Sequence, residues 1–226
     1  MSRPMKVSEA TTRRISVRAF KPDPVSGSIV REILEVARKA PSGGNLQPWR
    51  VYALAGAPLA EFKAIVAERF AAGDLETPEY DVYPHALWEP FKKRRRETGA
   101  ERYAALGVHD KDPAALRDLS ERNYRFFDAP VGLFFCLDRR LGPPQWSDLG
   151  MYMQTVMLLA VECGLDTCPQ ESWSNWPNTV RGFLDLPAEL MLFAGMSMGY
   201  RDPNHPLNAI RTAREPLETF ADLRGF

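Results

Sequence analysis

The chain has 226 residues, of which 45% are hydrophobic and 26% charged, with 29 basic and 29 acidic side chains. That length supplies one sizeable core or at most two small ones, and a zero net charge supplies no overall field to gather nucleic acid or an anionic membrane. No run is long enough to span a membrane and the N-terminus has no signal core, while three cysteines without a C-x-x-C spacing suit a cytoplasmic enzyme better than a disulfide-framed or zinc protein.

Thr11 to Arg18 begins polar and runs into Phe20. "KPDPV" (Lys21 to Val25) then forces an extended turn, because proline fixes its own φ and restricts the residue before it. Ser28 is the expected cap of a helix in which Ile29, Ile33, Val36, Ala37 and Ala40 recur at helical spacing, and Pro41 ends it. "APSGGNLQPW" (Ala40 to Trp49) follows, a loop free in its middle and stiff at its ends. A plain connector does not need the indole of Trp49; a loop that lays its backbone against something flat and polar does. "RVYALAG" alternates as a strand does.

Pro58 starts an expected helix through Ala71, with Leu59, Phe62, Ile65, Val66, Ala67 and Phe70 on one face. Gly73 to Pro90 is proline-rich and weakly periodic. "EPFKKRRRETGAERYAAL" reads as a helix with a basic face. Its "KKRRR" can serve as a phosphate-binding or targeting patch, but the preferred reading is a solvated helix face. Pro113 to Phe127 reads as a further helix, and "PVGLFFCLD" (Pro130 to Asp138) as a buried strand. Pro143-Pro144 should break the chain. Asp148 to Gly164 is apolar almost all round, the mark of a core helix. "LMLFAGMSMGY" (Leu190 to Tyr200) reads as a second buried strand, where Gly195 and Gly199 would permit close packing. From Arg201 the chain turns polar and proline-punctuated.

No G-x-G-x-x-G or Walker loop is present, and "GMSMG" (Gly195 to Gly199), which spells G-x-S-x-G, lies inside the apolar run read as a strand rather than at a strand-to-helix turn, so it does not mark a hydrolase. His85, His109 and His205 have no spaced partners for a metal, so they are expected at the surface and no metal site is expected. An enzyme without an evident nucleophile, base or metal borrows its reactivity from a cofactor. "RRISVRAF" offers Arg14, Ser16 and Arg18, which share one side of an extended segment because alternate residues share a face. Two guanidiniums and a hydroxyl suit a dianionic phosphate. The competing reading is a charged, solvated segment.

"RRISVRAF", "APSGGNLQPW", "GLDTCPQ" and "GMSMGYRDP" followed by Asn208 and "RTAREPLE", in this order, resemble the FMN-dependent nitroreductase family, and most of all its branch acting on nitrobenzoates and related nitroaromatics. The resemblance covers about Glu9 to Phe220 and is thin between Gly73 and Ala114. It implies an α+β, three-layer fold: a mixed, mostly antiparallel sheet flanked by helices, in one domain spanning 1–226. Within it, about 73–114 would be a variable helical insert near the active site, and about 203–226 a tail over the partner of an intertwined homodimer. It also implies FMN as cofactor and NADH or NADPH as electron donor. A small nitroaromatic would be reduced two electrons at a time by a ping-pong mechanism, from nitro to nitroso to hydroxylamine. The flavin carries the chemistry, so no side chain is assigned a catalytic role.

The same resemblance assigns the binding residues. Arg14, Ser16 and Arg18 would meet the phosphate and ribityl chain, with Arg214 and Arg211 reaching the phosphate from the C-terminal side. Ile15 stands where many relatives have Arg or His, so its contact would be through the backbone. Thr212 stands where many have Lys. Pro41, Ser42, Gly43 and Asn45 would wrap the flavin held mainly by the other subunit, with Trp49 anchoring that loop. Arg122 and Arg125 would lie near the pyrimidine edge, where a cation stabilises the anion of the reduced ring. Pro169, Gln170, Glu171 and Ser172 would line the ring near N5. Trp173 and Trp176 are expected in the substrate pocket, with a core or interface role as the competing reading. The rival functions are an FMN enzyme that reduces an enone, quinone or carbon–halogen bond, and a non-catalytic binding or interaction protein of this family that keeps the dimer but has lost productive flavin binding.

Overall fold

A computed structural model describes residues 4–74, 76–108 and 112–226. Its sheet is made of β1 (Arg50–Ala55), β2 (Val131–Asp138), β3 (Asp166–Gln170) and β4 (Leu190–Gly199), in the order β1-β2-β4-β3. All three strand pairs are antiparallel. Among the described residues the parallel contact is an isolated bridge, Ser16 to Thr167, so the sheet is mixed only through the N-terminal segment. The helices are α1 (Val7–Arg13), α2 (Gly27–Ala37), α3 (Gly56–Ala72), α4 (Phe91–Leu106), α5 (Pro113–Tyr124), α6 (Pro143–Glu162), α7 (Pro177–Leu184) and the short α8 (Leu217–Phe220). The architecture is α+β.

Helices cover both faces of the sheet. Along β2, Val131, Leu133, Phe135 and Leu137 join one core with residues of α2 and α6. Phe134 and Cys136 point into the other, with residues of α3, α7 and the aromatic turn after β3. A strand buried on both faces has no polar side to show, which is why β2 and β4 read as continuous apolar runs. Trp49 stacks on Tyr152 of α6 with ring centroids 4.8 Å apart, and so fixes the end of the 41–49 loop to the first core.

Several local expectations shift. Ser26, not Ser28, caps α2: Ser26 is extended and its hydroxyl accepts from the Ser28 N–H at 3.3 Å. Pro143 and Pro144 do not break a helix but begin α6, where the first-turn N–H groups have no intrahelical acceptor to lose. α5 stops at Tyr124, and a left-handed run at Phe126, Phe127 and Asp128 turns the chain into β2. Left-handed backbone is unfavourable for residues with a Cβ, and burial of both phenyl rings offsets it. Gly132 faces the Phe126 ring, and a Cβ there would lie 2.7 Å from Phe126 Cζ.

Within the expected tail, Leu207 and Asn208 are buried against their own chain, and the stretch beyond them is largely exposed. His85 is exposed, His205 is half-buried, and His109 lies outside the described residues.

Candidate active site

β3 is an edge strand, which is where a residue such as Pro169 is tolerated. The N-terminal segment covers its free edge: the Val17 N–H donates to the Thr167 carbonyl at 3.0 Å. Extended backbone alternates its faces, so Val17 is fully buried while Arg14, Ser16 and Arg18 line a cavity of about 920 Å³. Ile15 also borders the cavity and packs partly against the aromatic core.

Asn208 sets the position of this segment. Its side-chain oxygen accepts from the Arg18 N–H at 2.8 Å, and its amide donates to the carbonyls of Ala19 and Asp202, both at 2.8 Å. The chain beyond it, Ile210 to Glu215, forms the second wall, bringing Arg211 and Arg214 opposite Arg14 and Arg18. α4 forms the third wall through Arg94, Glu97, Thr98, Glu101 and Arg102, residues that share one helical face. The "KKRRR" run is therefore not uniformly solvated. Arg94 borders the cavity and pairs with Glu215 at 2.8 Å, and the Arg95 guanidinium lies 4.3 Å from the Tyr83 ring centroid. Lys93 does face water, with Glu97 at 3.8 Å.

The cavity walls carry six arginines and three glutamates. Arg211 donates to the carbonyls of Asn208 and Ile210, and Arg214 to Thr212 and the Ala213 carbonyl. Neutral acceptors orient these groups without cancelling their charge. The Nε atoms of Arg14 and Arg102 and one carboxylate oxygen of Glu101 are buried without a hydrogen-bond partner. Such atoms are costly to leave unmet. A ligand with an anionic group and a hydroxyl-bearing chain would satisfy both kinds.

The remaining predicted residues lie apart from this cavity in the single chain. Gln170 donates to the Asn123 carbonyl at 2.6 Å and accepts from Ser197 at 2.6 Å, so its side chain is already engaged. Ser172 donates to Asn123 Oδ1 at 3.3 Å. These bonds tie the end of β3, Pro169 and Gln170, and the following turn, Glu171 to Asn175, to the end of α5 that carries Arg122 and Arg125. Arg122 lies 3.1 Å from His205 Nε2, and burial together with Arg122 holds the His205 ring below its usual pKa. Arg125 faces Glu121 at 3.2 Å and Asp128 at 3.5 Å, so its charge is shared with two carboxylates.

Pro41, Gly43 and Asn45 are exposed, Ser42 half so, and none of them borders the cavity of their own chain. The loop is nevertheless shaped. The Gly43 N–H donates to both oxygens of buried Asp148 at 3.2 Å, and the Gln47 N–H donates to Ser42 Oγ at 3.0 Å.

Trp173 and Trp176 are expected from sequence in the substrate pocket, with a core or interface role as the competing reading. Both are completely buried, packed among Phe62, Tyr124, Phe126 and Phe134, and belong to the core. Arg94, Glu101 and Arg102 were not assigned from sequence as site residues, and Asn208 stood in the C-terminal motif without a role. The signal of the three α4 residues was present only as polar residues at helical spacing, which a solvated face shows equally.

Residues 11–200 match the family described as the Nitroreductase family. The chain is 36% identical over 213 residues to the 4-nitrobenzoate reductase of Pseudomonas putida, covering 94% of this chain and 93% of that one. It is 39% identical over 208 residues to the nitrobenzene nitroreductase of Ectopseudomonas oleovorans, covering 92% of each. The crystal structure of the FMN and NADPH-dependent nitroreductase NfnB from Sphigopyxis sp. strain HMH superposes with a TM-score of 0.94 at 43% identity, over 98% of this chain and 100% of that one. With the family matched along most of its length and the fold shared with a solved member, this chain belongs to the nitroreductase family.

Proposed function

We propose that this protein is an FMN-dependent oxidoreductase that uses NADH or NADPH to reduce nitroaromatic compounds. The observation that carries the reading is the arginine-lined cavity between the N-terminal segment, the tail and α4. Its residues fit the cofactor: the unpartnered guanidinium nitrogens of Arg14 and Arg102 suit a phosphate, and the unpartnered Glu101 oxygen suits a ribityl hydroxyl. When bound, FMN supplies hydride acceptance from the nicotinamide and delivery of electron pairs to the acceptor. Two electrons and two protons take nitro to nitroso with loss of water; two more of each give the hydroxylamine. A ping-pong order, with donor and acceptor using one pocket in turn, is part of the proposal.

Arg14, Ser16, Arg18, Arg211 and Arg214 hold the phosphate end, and the Ile15 backbone contributes where a basic side chain is absent. Arg122 and Arg125 stand at the pyrimidine edge, and Pro169 to Ser172 beside the ring. The 41–45 loop serves the second site of a homodimer. Its exposure, the exposed Met151 on α6, and the exposed Leu217, Phe220, Leu223 and Phe226 of the tail support that assembly. One domain spanning the chain, with 73–114 as insert, completes the reading. No described helix is long and apolar enough to cross a membrane, and the proposed location is the cytoplasm, where free thiols persist.

The test is anaerobic reduction by NADH and by NADPH, followed by reoxidation with a nitrobenzoate, a quinone and an enone. Bleaching by a nicotinamide and fastest recovery of the yellow form with the nitroaromatic are expected. Fastest recovery with quinone or enone would move the assignment to another acceptor, and a protein that never takes up FMN would remove it. A chain ending at Pro216 keeps Leu207, Asn208 and Arg214 but loses the apolar tail. It is expected to sediment with a much larger monomer fraction than the full chain, and an unchanged dimer would show that the tail is not part of the interface.

A further inference from the structure

We propose that Arg102, on the insert helix α4, is a direct ligand of the flavin phosphate, so that the phosphate ties the insert to the N-terminal segment and the tail. The inference rests on the FMN reading above and adds a residue from the 73–114 stretch, where the resemblance to the family is thin.

Of the two arginines that α4 turns toward the cavity, Arg94 has a carboxylate at 2.8 Å in Glu215. Arg102 does not. The ionisable groups that act on it are Arg18, Cys168, Tyr83 and Tyr103, with no carboxylate among these described neighbours. Burial pushes the Cys168 thiol up, so it is neutral and offers no counter-charge. Burial and the nearby Arg18 both push the Arg102 guanidinium down. An arginine does not escape such a position by losing its proton. Its Nε is enclosed without a partner, as is that of Arg14 on the opposing segment. Arg18 spends a bond on the Ser16 carbonyl at 3.2 Å, a neutral acceptor.

Cations from distant parts of the sequence thus face one space, and of the glutamates on its walls Glu215 is taken by Arg94, Glu97 lies beside Lys93, and Glu101 is not among the groups that act on Arg102. Like charges held together in a partly buried place repel, and bringing in an anion reverses the sign of that energy. A phosphate monoester presents several acceptor oxygens in different directions and can meet more than one guanidinium fork at once. Riboflavin lacks that group and leaves the repulsion in place.

The experiment compares FMN with riboflavin. Both are titrated into flavin-stripped protein, followed by quenching of flavin fluorescence, for the unaltered chain and for Arg102→Met, Arg102→Lys, Arg14→Ala and Lys93→Ala. Losing a charge-assisted bond costs about 1.5–3 kcal/mol, or roughly 10- to 150-fold in affinity. Arg102→Met is expected to weaken FMN by that order and riboflavin by less than about twofold, with Arg102→Lys recovering part of the loss by its charge. Lys93→Ala, on the water-facing side, is expected to match the unaltered chain. Amide exchange of residues 91–106 in the unaltered chain gives a readout independent of any variant: FMN should slow it more than riboflavin does. FMN affinity unchanged in Arg102→Met, equal loss of both flavins, or equal protection of 91–106 by both overturns the proposal. If Arg14→Ala loses FMN selectively and Arg102→Met does not, Arg102 alone is wrong. If the unaltered chain itself prefers FMN no more than riboflavin, the phosphate reading of the cavity falls with it.

Discussion

Replacing Gly195 by alanine is expected to lower the melting temperature by about 6–12 °C, the equivalent of about 3 kcal/mol in a chain of this size. Gly195 sits in the middle of β4, paired with Phe134 of β2 on one side and Gln170 of β3 on the other. A Cβ at this position would lie 2.9 Å from both Cγ and Nε1 of Trp173. Neither partner can yield cheaply. The strand is held from both sides, and the indole is fully buried with Phe126 4.5 Å and Phe134 5.3 Å from it, ring centre to ring centre. The added methyl must shift either the ladder or the aromatic cluster, and the turn that carries Glu171 and Ser172 moves with Trp173. Gly150→Ala is the natural control, since a Cβ there meets no atom within 4 Å and α6 gains a better helix former. Thermal unfolding of both variants, followed by circular dichroism, decides the matter. A Gly195→Ala melt within about 2 °C of the unaltered protein would show that the core yields more readily than close packing implies.

Asn208→Ala is expected to cost about 3 kcal/mol of stability and also to weaken FMN. The substitution strands three backbone groups at once: the N–H of Arg18 and the carbonyls of Ala19 and Asp202. Leaving a buried polar group unmet costs about 1–3 kcal/mol each, less where water can enter. The second effect follows from position. Arg18 lies on one wall of the cavity and Arg211, whose guanidinium donates to the Asn208 carbonyl at 2.8 Å, on the facing wall. Freed of their common anchor, the two walls no longer hold their cations in register. Asn204→Ala, exposed and four residues away, should leave both melting and FMN affinity as they were. Equal behaviour of the two variants would show that the tail is positioned by something other than Asn208.

Much of this protein was legible in its sequence wherever a local pattern carried the information. The period of two in "RRISVRAF" put Arg14, Ser16 and Arg18 on one side and Val17 on the other, because alternation is a property of extended backbone whatever lies beside it. The apolar runs of β2 and β4 announced a sheet covered on both faces. The 3.6-residue spacing of α2 announced its buried face, though not which serine would cap it.

Tertiary structure decided what depends on neighbours far away in the chain. A tryptophan in a short turn can serve a pocket or a core, and Trp173 is core because Gly195 of a distant strand leaves room for its ring. A pair of prolines can stop a helix or start one, and at Pro143-Pro144 they start α6, whose apolar face packs on the sheet. Nothing in "DTCPQ" marks a strand; it becomes one by pairing with β4 on one side and the N-terminal segment on the other. The same holds for charge. A basic helix face looks identical in sequence whether it meets water or the wall of a cavity, because solvation is not local to the helix. Lys93 and Arg102 belong to one such helix, and only the approach of the tail and of Arg14 to Arg18 makes one a surface cation and the other a half-buried one on a cavity wall, with its Nε enclosed.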